Sequence, residues 1–444
     1  MKKIKILCCF CVITLLLACP QDSGTNNSSN NSDSISIVNV TPRALQAPAY
    51  GIVDPAASIA ANGANDFAFR LSASLVKQSD GKNFVCSPYS VWMPLAALVN
   101  ATNPNDKAAL LAALGASGIT ETDINRASSR MLYDLTKLHN KDSAYMDYYN
   151  PLKIANAIFV GNTVTLRKDF AQTFMDYYRG SSINVDFSSN DAVDAVNRWA
   201  SENTDGLITK VVEEFDEGTV AALANAIYFS DRWSREFKPE STKQDVFHSP
   251  AGDTTAFYML REGDQLTYYE DNKVQAMPLQ FVNGGGLYII LPKSGSGATN
   301  YAADFLASMT NNYFGEIQSN SISATGKLLL PRFSIENDIK GLKEALIALG
   351  VPLFDPITAP LTGGLIESGI PLFLSDAMQK AVIKVDEKGT TAAAVTVLGV
   401  ATTGMPVPTE PFEMVCNRPF VFILYEHTSD GGSQILFTGI VNQP

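Results

Sequence analysis

The stretch EKGTTAAAVTVLGVATTGMPVP, Glu387–Pro408, carries the reading of this chain. After Lys388 no charged residue occurs until Glu410, and from Gly389 to Met405 there is neither proline nor aromatic, only Gly, Thr, Ala, Val, one Leu and one Met. A long solvent-exposed connection is normally built of Asp, Asn, Ser, Lys and Pro, whereas small and β-branched residues suit a packed strand. The stretch therefore has a loop's position and a strand's composition. Alternate positions put Thr390, Ala392, Ala394, Thr396 and Leu398 on one face of an extended chain, with Thr391, Ala393, Val395 and Val397 on the other. An ordinary strand followed by a proline-broken loop fits the composition equally well, so the surrounding sequence has to decide.

Those surroundings are globular. The chain has 444 residues, of which 46% are hydrophobic and 18% charged, the balance of a protein with a sizeable core. Its formal charge of −12 argues against nucleic acid or an anionic membrane surface as a partner. Lys2, Lys3 and Lys5 precede an apolar run from Ile6 to Ala18, which is short for a membrane span and of the length of a signal-peptide core. Residues 1–18 are thus expected to be a signal peptide, whose loss removes three lysines and no acid and leaves a balance of −15. Residues 19–62 read as a disordered tether, with a run of Asn and Ser from Asn26 to Ser32, scattered prolines and few large hydrophobics. Of the six cysteines, Cys86 and Cys416 remain in the folded body in strand-like contexts. There a buried free thiol is the commoner state, although a disulfide between them is left open.

From Asn65 the pattern turns helical, with Phe67, Leu71 and Leu75 on one face. Asn83–Cys86 reads as a short strand that runs into Ser87-Pro88, an N-cap serine followed by proline at the first helical position. Pro94 should kink or shorten the helix that follows. Further helices are expected near 105–114, 121–139, 166–179 and 190–203, with strands over 154–160 and 183–187. The second half is β-rich, with runs at 221–230, 274–281, 287–291, 327–335 and 420–425 and one helix at 338–349 stopped by Gly350. Helices mostly first and strands mostly later imply one α+β domain over residues 63–444.

Motifs for catalysis are missing. The chain has no G-x-S-x-G, H-E-x-x-H, Walker loop or G-x-G-x-x-G after a strand. Its three histidines, His139, His248 and His427, have no ligand spacing, so no metal and no cofactor is expected. Gly284–Gly286 reads as a hairpin turn, and the acidic run around Glu213, Glu214, Asp216 and Glu217 as a solvated loop.

Several blocks, in this order, resemble the serpins, the family of serine protease inhibitors. They are Asn83-Phe84-Val85-Cys86-Ser87-Pro88-Tyr89-Ser90; Asn197-Arg198-Trp199 with Thr204-Asp205-Gly206-Leu207-Ile208; Ala224-Asn225-Ala226-Ile227-Tyr228-Phe229 with Trp233 and Phe237; Leu330-Pro331-Arg332-Phe333; Val385-Asp386-Glu387-Lys388-Gly389-Thr390; and Asn417-Arg418-Pro419-Phe420. Leu16-Leu17-Ala18-Cys19 resembles the lipobox of bacterial lipoproteins, which would leave Cys19 lipid-modified and the protein anchored in a bacterial cell envelope by lipid alone.

The resemblance implies three β-sheets, an exposed reactive-centre loop and no catalytic site. A target serine protease, or a cysteine protease, attacks the loop. The cut loop then inserts into the main sheet and traps the acyl-enzyme as a covalent 1:1 complex with a monomeric inhibitor, a known case of strand addition releasing stored strain. The hinge would be Glu387, Gly389, Thr390, Ala392 and Ala394; the breach, where insertion begins, Trp233 and Phe237; and the shutter beneath the parting strands Ser87, Ser90, Asn225 and Gln379.

The seventeenth residue from Glu387 puts the reactive bond at Thr403-Gly404, with Thr402 and Met405 as near alternatives. A small residue there suits an elastase-like or subtilisin-like protease and not a trypsin-like one. Gln379 stands where the family usually has a histidine bonded to the asparagine matching Asn225, which puts the strength of that latch in question. The competing readings are a non-inhibitory serpin acting as chaperone or carrier and, from another class, an envelope hydrolase or solute-binding lipoprotein.

Overall fold

The computed structural model describes residues 54–137, 152–293, 301–389, 410–428 and 431–444, together with the backbone of 8–18. Among them are helices α1 (Pro55–Val76), α2 (Pro88–Leu98), α3 (Pro104–Ala113), α4 (Glu121–Lys137), α5 (Lys168–Tyr178), α6 (Asn190–Asn203), α7 (Tyr301–Ser308), α8 (Asn311–Ser319) and α9 (Leu342–Ala348). The strands are β1 (Cys8–Ala18), β2 (Phe84–Cys86), β3 (Leu152–Gly161), β4 (Gly180–Val185), β5 (Thr219–Ser230), β6 (Lys243–Ser249), β7 (Gly252–Glu270), β8 (Val274–Gln280), β9 (Gly286–Pro292), β10 (Ile322–Pro331), β11 (Phe333–Ile339), β12 (Phe373–Val385), β13 (Phe412–Val415), β14 (Phe420–His427) and β15 (Ser433–Val441).

The main sheet has the order β11-β12-β1-β5-β3-β4. The remaining strands form two sheets joined through the 19-residue β7, which pairs with β6 and β10 along most of its length and with β8 at its end. Parallel β13 extends the first of these, while β9, β14, β15 and β2 continue the second. Helix α2 packs against β5 of the main sheet on one side and β15 on the other, and all of its residues are buried. A helix apolar all round belongs in a core of this kind.

Local chemistry accounts for most boundaries. Asp54 caps α1, its Oδ1 accepting from Ala56 N at 3.0 Å, with Pro55 at the first position. Residues 55–62, assigned to the tether, are therefore the first two turns of a helix, and Ala60 in them is buried. Phe67, Leu71 and Leu75 are buried as their spacing required. Ser87 holds the N-cap position of α2 without capping it, because its hydroxyl donates instead to the Leu436 carbonyl at 2.7 Å. The helix runs through Pro94 to Leu98.

Two expected elements change. The run 327–335 is two strands in different sheets, parted at Arg332 directly after Pro331, where the Arg332 N–H donates to the Phe257 carbonyl at 2.9 Å. The helix expected over 338–349 begins only at Leu342, because β11 continues to Ile339. Gly284 and Gly285 have positive φ in the β8–β9 hairpin, as their run implied. Cys86 and Cys416 are both free and buried, and burial pushes the Cys86 thiol up to about 11.

Strand β1 is the apolar run of the expected leader. It lies antiparallel to both neighbours along its whole length, Cys9 opposite Ile383 and Phe229, Ile13 opposite Gln379 and Asn225, and Leu17 opposite Leu374 and Ala221. Strand β5 is buried on both faces, since Leu223, Ile227 and Phe229 meet the main core while Ala222, Ala224, Ala226 and Tyr228 meet Val196, Trp199 and Ala200 of α6. Such two-sided burial reads in sequence as a continuous apolar run.

Helix α1 approaches the chain beyond α3 so closely that a Cβ on Gly63 would stand 2.4 Å from the Gly115 carbonyl oxygen. Alanine in a helix interior is ordinarily worth about 1 kcal/mol over glycine, yet backbone does not yield cheaply to such an overlap. Gly63→Ala is expected to lower stability by about 1–3 kcal/mol, read as a lower urea midpoint at unchanged slope.

Candidate functional site: the hinge, breach and shutter of the main sheet

The chain leaves β12 at Val385 and turns over Asp386–Gly389 above the end of β5. Glu387, 7% exposed along its side chain, holds this turn. Its carboxylate accepts from Arg332 Nε at 2.8 and 2.9 Å, from Arg332 Nη2 at 2.5 Å and from the Thr242 hydroxyl at 2.5 Å. Burial would raise its pKa, but the Arg332 and Thr242 hydrogen bonds outweigh burial and hold it below the usual glutamate value. Asp386 is shifted the other way, first by burial and then by the charge of Glu387.

Trp233 supplies the floor. Its indole N–H donates to the Asp386 carbonyl at 2.9 Å, and its ring stacks on Phe281 with centroids 4.8 Å apart. The Phe237 N–H donates to the Glu387 carbonyl at 2.9 Å. Behind Phe237 lies the buried Arg261, its guanidinium 4.3 Å from the ring centroid, and burial, followed by the nearby Arg235, pushes its pKa down to about 9. Gly389 adopts φ +64°, and a Cβ there would lie 2.4 Å from the Trp233 nitrogen. Only glycine lets the chain pass the breach this closely. Of the hinge set, Glu387 and Gly389 are thus placed beside Trp233 and Phe237, whereas Thr390, Ala392 and Ala394, like Thr402, Thr403, Gly404, Met405 and Cys19, lie outside the described residues.

Lower down, Gln379 is bonded twice to the backbone of Ser87: Oε1 accepts from its N–H at 3.0 Å and Nε2 donates to its carbonyl at 2.9 Å. Among the described residues it makes no bond to Asn225. The reason is geometric. Ile13 of β1 stands opposite both residues, so their backbones sit two strand spacings apart, roughly 9.5 Å, and both polar atoms of the Gln379 amide are engaged by Ser87.

Asn225 instead donates to Asn156 Oδ1 at 2.8 Å, and its own Oδ1 has no partner among the described residues, as is also true of the Ser90 hydroxyl. Asn156 in turn donates to the Tyr178 carbonyl at 2.7 Å, and the buried Tyr178 hydroxyl lies 2.8 Å from Asn125 Oδ1. This polar chain behind the shutter, and the clasp of Arg332 and Thr242 on Glu387, were not legible beforehand. Arg332 stood in a recognised block, but nothing in its spacing ties it to a glutamate 55 residues on.

A family model described as serpin (serine protease inhibitor) matches residues 62–444. The chain is a serpin. It is similar to alpha-1-antitrypsin 1-4 of Mus musculus, 29% identical over 394 residues that cover 88% of this chain and 90% of that protein. Antichymotrypsin-2 of Bombyx mori is 30% identical over 385 residues, covering 85% and 96%. Among solved structures, the thermophilic serpin tengpin in its native state aligns with a TM-score of 0.72 at 25% identity over 88% of this chain and 95% of that one. Human glycosylated kallistatin aligns with a TM-score of 0.71 at 22% identity over 88% and 99%. The α+β architecture of helices and three sheets is that of the serpin structures, and at family level serpins inhibit proteases and do not catalyse a reaction.

Gln379→Ala strands the buried N–H of Ser87, whose carbonyl keeps its helical bond as the N-cap of α2, and should lower stability by about 1–3 kcal/mol, measured by urea unfolding. Glu387→Gln weakens the clasp on Arg332, whose side chain keeps 44% of its exposure, so the loss at pH 7 is set at about 1–2 kcal/mol. Since the folded pKa of Glu387 is depressed, that advantage is full above the unfolded value of about 4.3 and fades as pH falls below it. The raised Asp386 acts in the opposite sense, so the difference between wild type and Glu387→Gln across pH 3–7 is the quantity to measure.

Proposed function

We propose that this serpin is a suicide-substrate inhibitor of serine proteases, with cysteine proteases as a secondary target class, cut at Thr403-Gly404 by an elastase-like or subtilisin-like enzyme. The observation that carries the reading is the junction at Gly389. The chain is clamped at Glu387 and passes Trp233 closely at Gly389, above the end of β5, and in sequence the 17 residues from Gly389 to Met405 have no charge, proline or aromatic; the main sheet takes one strand between β5 and β12. That position takes a strand antiparallel to both neighbours, and a chain descending from Gly389 would have the same direction.

Attack by the protease serine on the carbonyl carbon of residue 403 forms the ester and releases the amine of Gly404. Insertion of the freed segment would then satisfy the inner ladder groups of β5 and β12, each bond contributing about 1 kcal/mol net. The ester-linked protease would be carried along the sheet before water could reach it. Side chains as small as Thr and Ala enter without steric penalty. A charge among them would cost several kcal/mol, and a proline would remove a ladder donor. We further propose that Cys19 carries lipid and that the body, joined through the residues after it, acts at a bacterial envelope surface as a monomer.

The full chain mixed with elastase or subtilisin is expected to give a 1:1 adduct stable in SDS. Thr403→Arg should transfer adduct formation to trypsin, and Ala394→Arg should lower its yield roughly tenfold or more while leaving cleavage intact. Plain cleavage by every protease tried would sink the inhibitor reading and favour a chaperone or carrier role. Loss of radiolabelled palmitate in Cys19→Ala tests the anchor.

A further inference from the structure

Two segments of this chain have the composition to enter the main sheet between β5 and β12. One is the loop after Gly389. The other is Cys8–Ala18, CCFCVITLLLA, which has no charge, proline or glycine and which occupies the position as β1. Its pairing is a complete ladder, with partners from Cys9 to Ala18 on β12 and from Cys8 to Ala18 on β5, offset only near its lower end. Eleven residues at roughly 3.3 Å each span about 36 Å, nearly the whole height of the 12-residue β5.

The strand enters beside Ser230, under the breach, and descends to Thr219, the course open to the reactive loop. Its connection to α1 is not a constraint, since residues 19–53 supply 35 residues, extensible to more than 100 Å. The shutter carries the mark of an occupied sheet. Asn225 Oδ1 lacks a partner among the described residues and Gln379 is bonded to the Ser87 backbone, with Ile13 of β1 in register between the two.

We propose that in the unprocessed chain the leader is an intramolecular plug: as the strand between β5 and β12 it keeps the main sheet six-stranded and denies that position to the reactive loop until the leader is removed. Occupancy stands on the pairing alone, while its effect on inhibition rests on the inhibitory reading above. A strand that satisfies both inner edges leaves the loop nothing to gain by insertion, so the plugged chain meets a protease as a plain substrate. Removal of residues 1–18 vacates the position, leaving β5 and β12 to pair directly until the cut loop parts them, and the inhibitor becomes competent only after processing.

The test uses the full chain made without processing, held intact by Cys19→Ala, beside the same chain carrying Ile13→Asp or, as a second disruption, Leu15→Pro. Three readouts are taken: hydrogen exchange of the amides of residues 8–18, uptake of a synthetic peptide of residues 389–403 by native gel shift, and yield of the SDS-stable adduct with elastase. In the intact chain the amides of 8–18 should be protected like those of β5, the peptide excluded and the adduct scarce. Both leader variants should lose that protection, take up the peptide and raise adduct yield roughly tenfold or more.

Free exchange of residues 8–18 in the intact chain would overturn the plug. Protected amides with adduct formed as readily as in the variants would overturn its blocking role. Protection and peptide exclusion that both disappear in the variants, with no adduct from any of the three chains, would leave the plug supported and remove the inhibitor reading instead.

Discussion

The inner edges of β5 and β12 are the constraint around which this serpin is arranged. Each edge presents a row of backbone donors and acceptors that lie within the sheet, and an unpaired row there carries a desolvation penalty for every group it leaves without a partner. The ladder has two solutions, an inserted strand between them or direct pairing of β5 with β12. The first is seen here, with β1 as the inserted strand. At the shutter β1 sets the backbones of Asn225 and Gln379 two strands apart, and each bonds to its own side, Asn225 to Asn156 and Gln379 to Ser87.

At the upper end of the same gap the hinge is restrained by several independent contacts. An ion pair to Arg332, the Thr242 hydroxyl, the Trp233 indole on the Asp386 carbonyl and a glycine pressed on backbone together fix where the chain leaves β12. These contacts hold the chain in one path up to Gly389, and the residues that follow it in sequence are small and uncharged. Arg261, buried against Phe237 with its Nη2 donating to the Arg235 carbonyl, braces the breach from behind. Its depressed pKa is the expected result of holding a guanidinium away from water.

The segments that read correctly in sequence were those whose character is set within a few residues. The 3.6-residue spacing of Phe67, Leu71 and Leu75, the proline after Ser87, the glycine run between β8 and β9 and the apolar run of β5 all owe their form to local geometry, and the structure keeps them. The errors lay where long-range demands took over. Ser87 gives its hydroxyl to Leu436 rather than to its own helix, the run through Pro331 divides between two sheets, and the supposed end of the tether is capped into α1 by Asp54. Strand β12 was not anticipated, although Ala381, Ile383 and Val385 alternate with Lys380, Val382 and Lys384 along it. Ser375, Asp376, Gln379, Lys380 and Lys384 break its apolar run, so the strand lacks the continuous hydrophobic pattern of β5.

The sequence by itself determined that Gly389–Met405 is fit both to be exposed and to be buried as a strand, and that Cys8–Ala18 is apolar throughout, since composition is a property of residues alone. Only the tertiary structure decided which pair of strand edges is available, that Arg332 and Thr242 hold the hinge, and that Cys8–Ala18 lies between β5 and β12. Those outcomes depend on groups brought together from distant parts of the chain. A ladder edge comes into being only once two strands have been laid side by side.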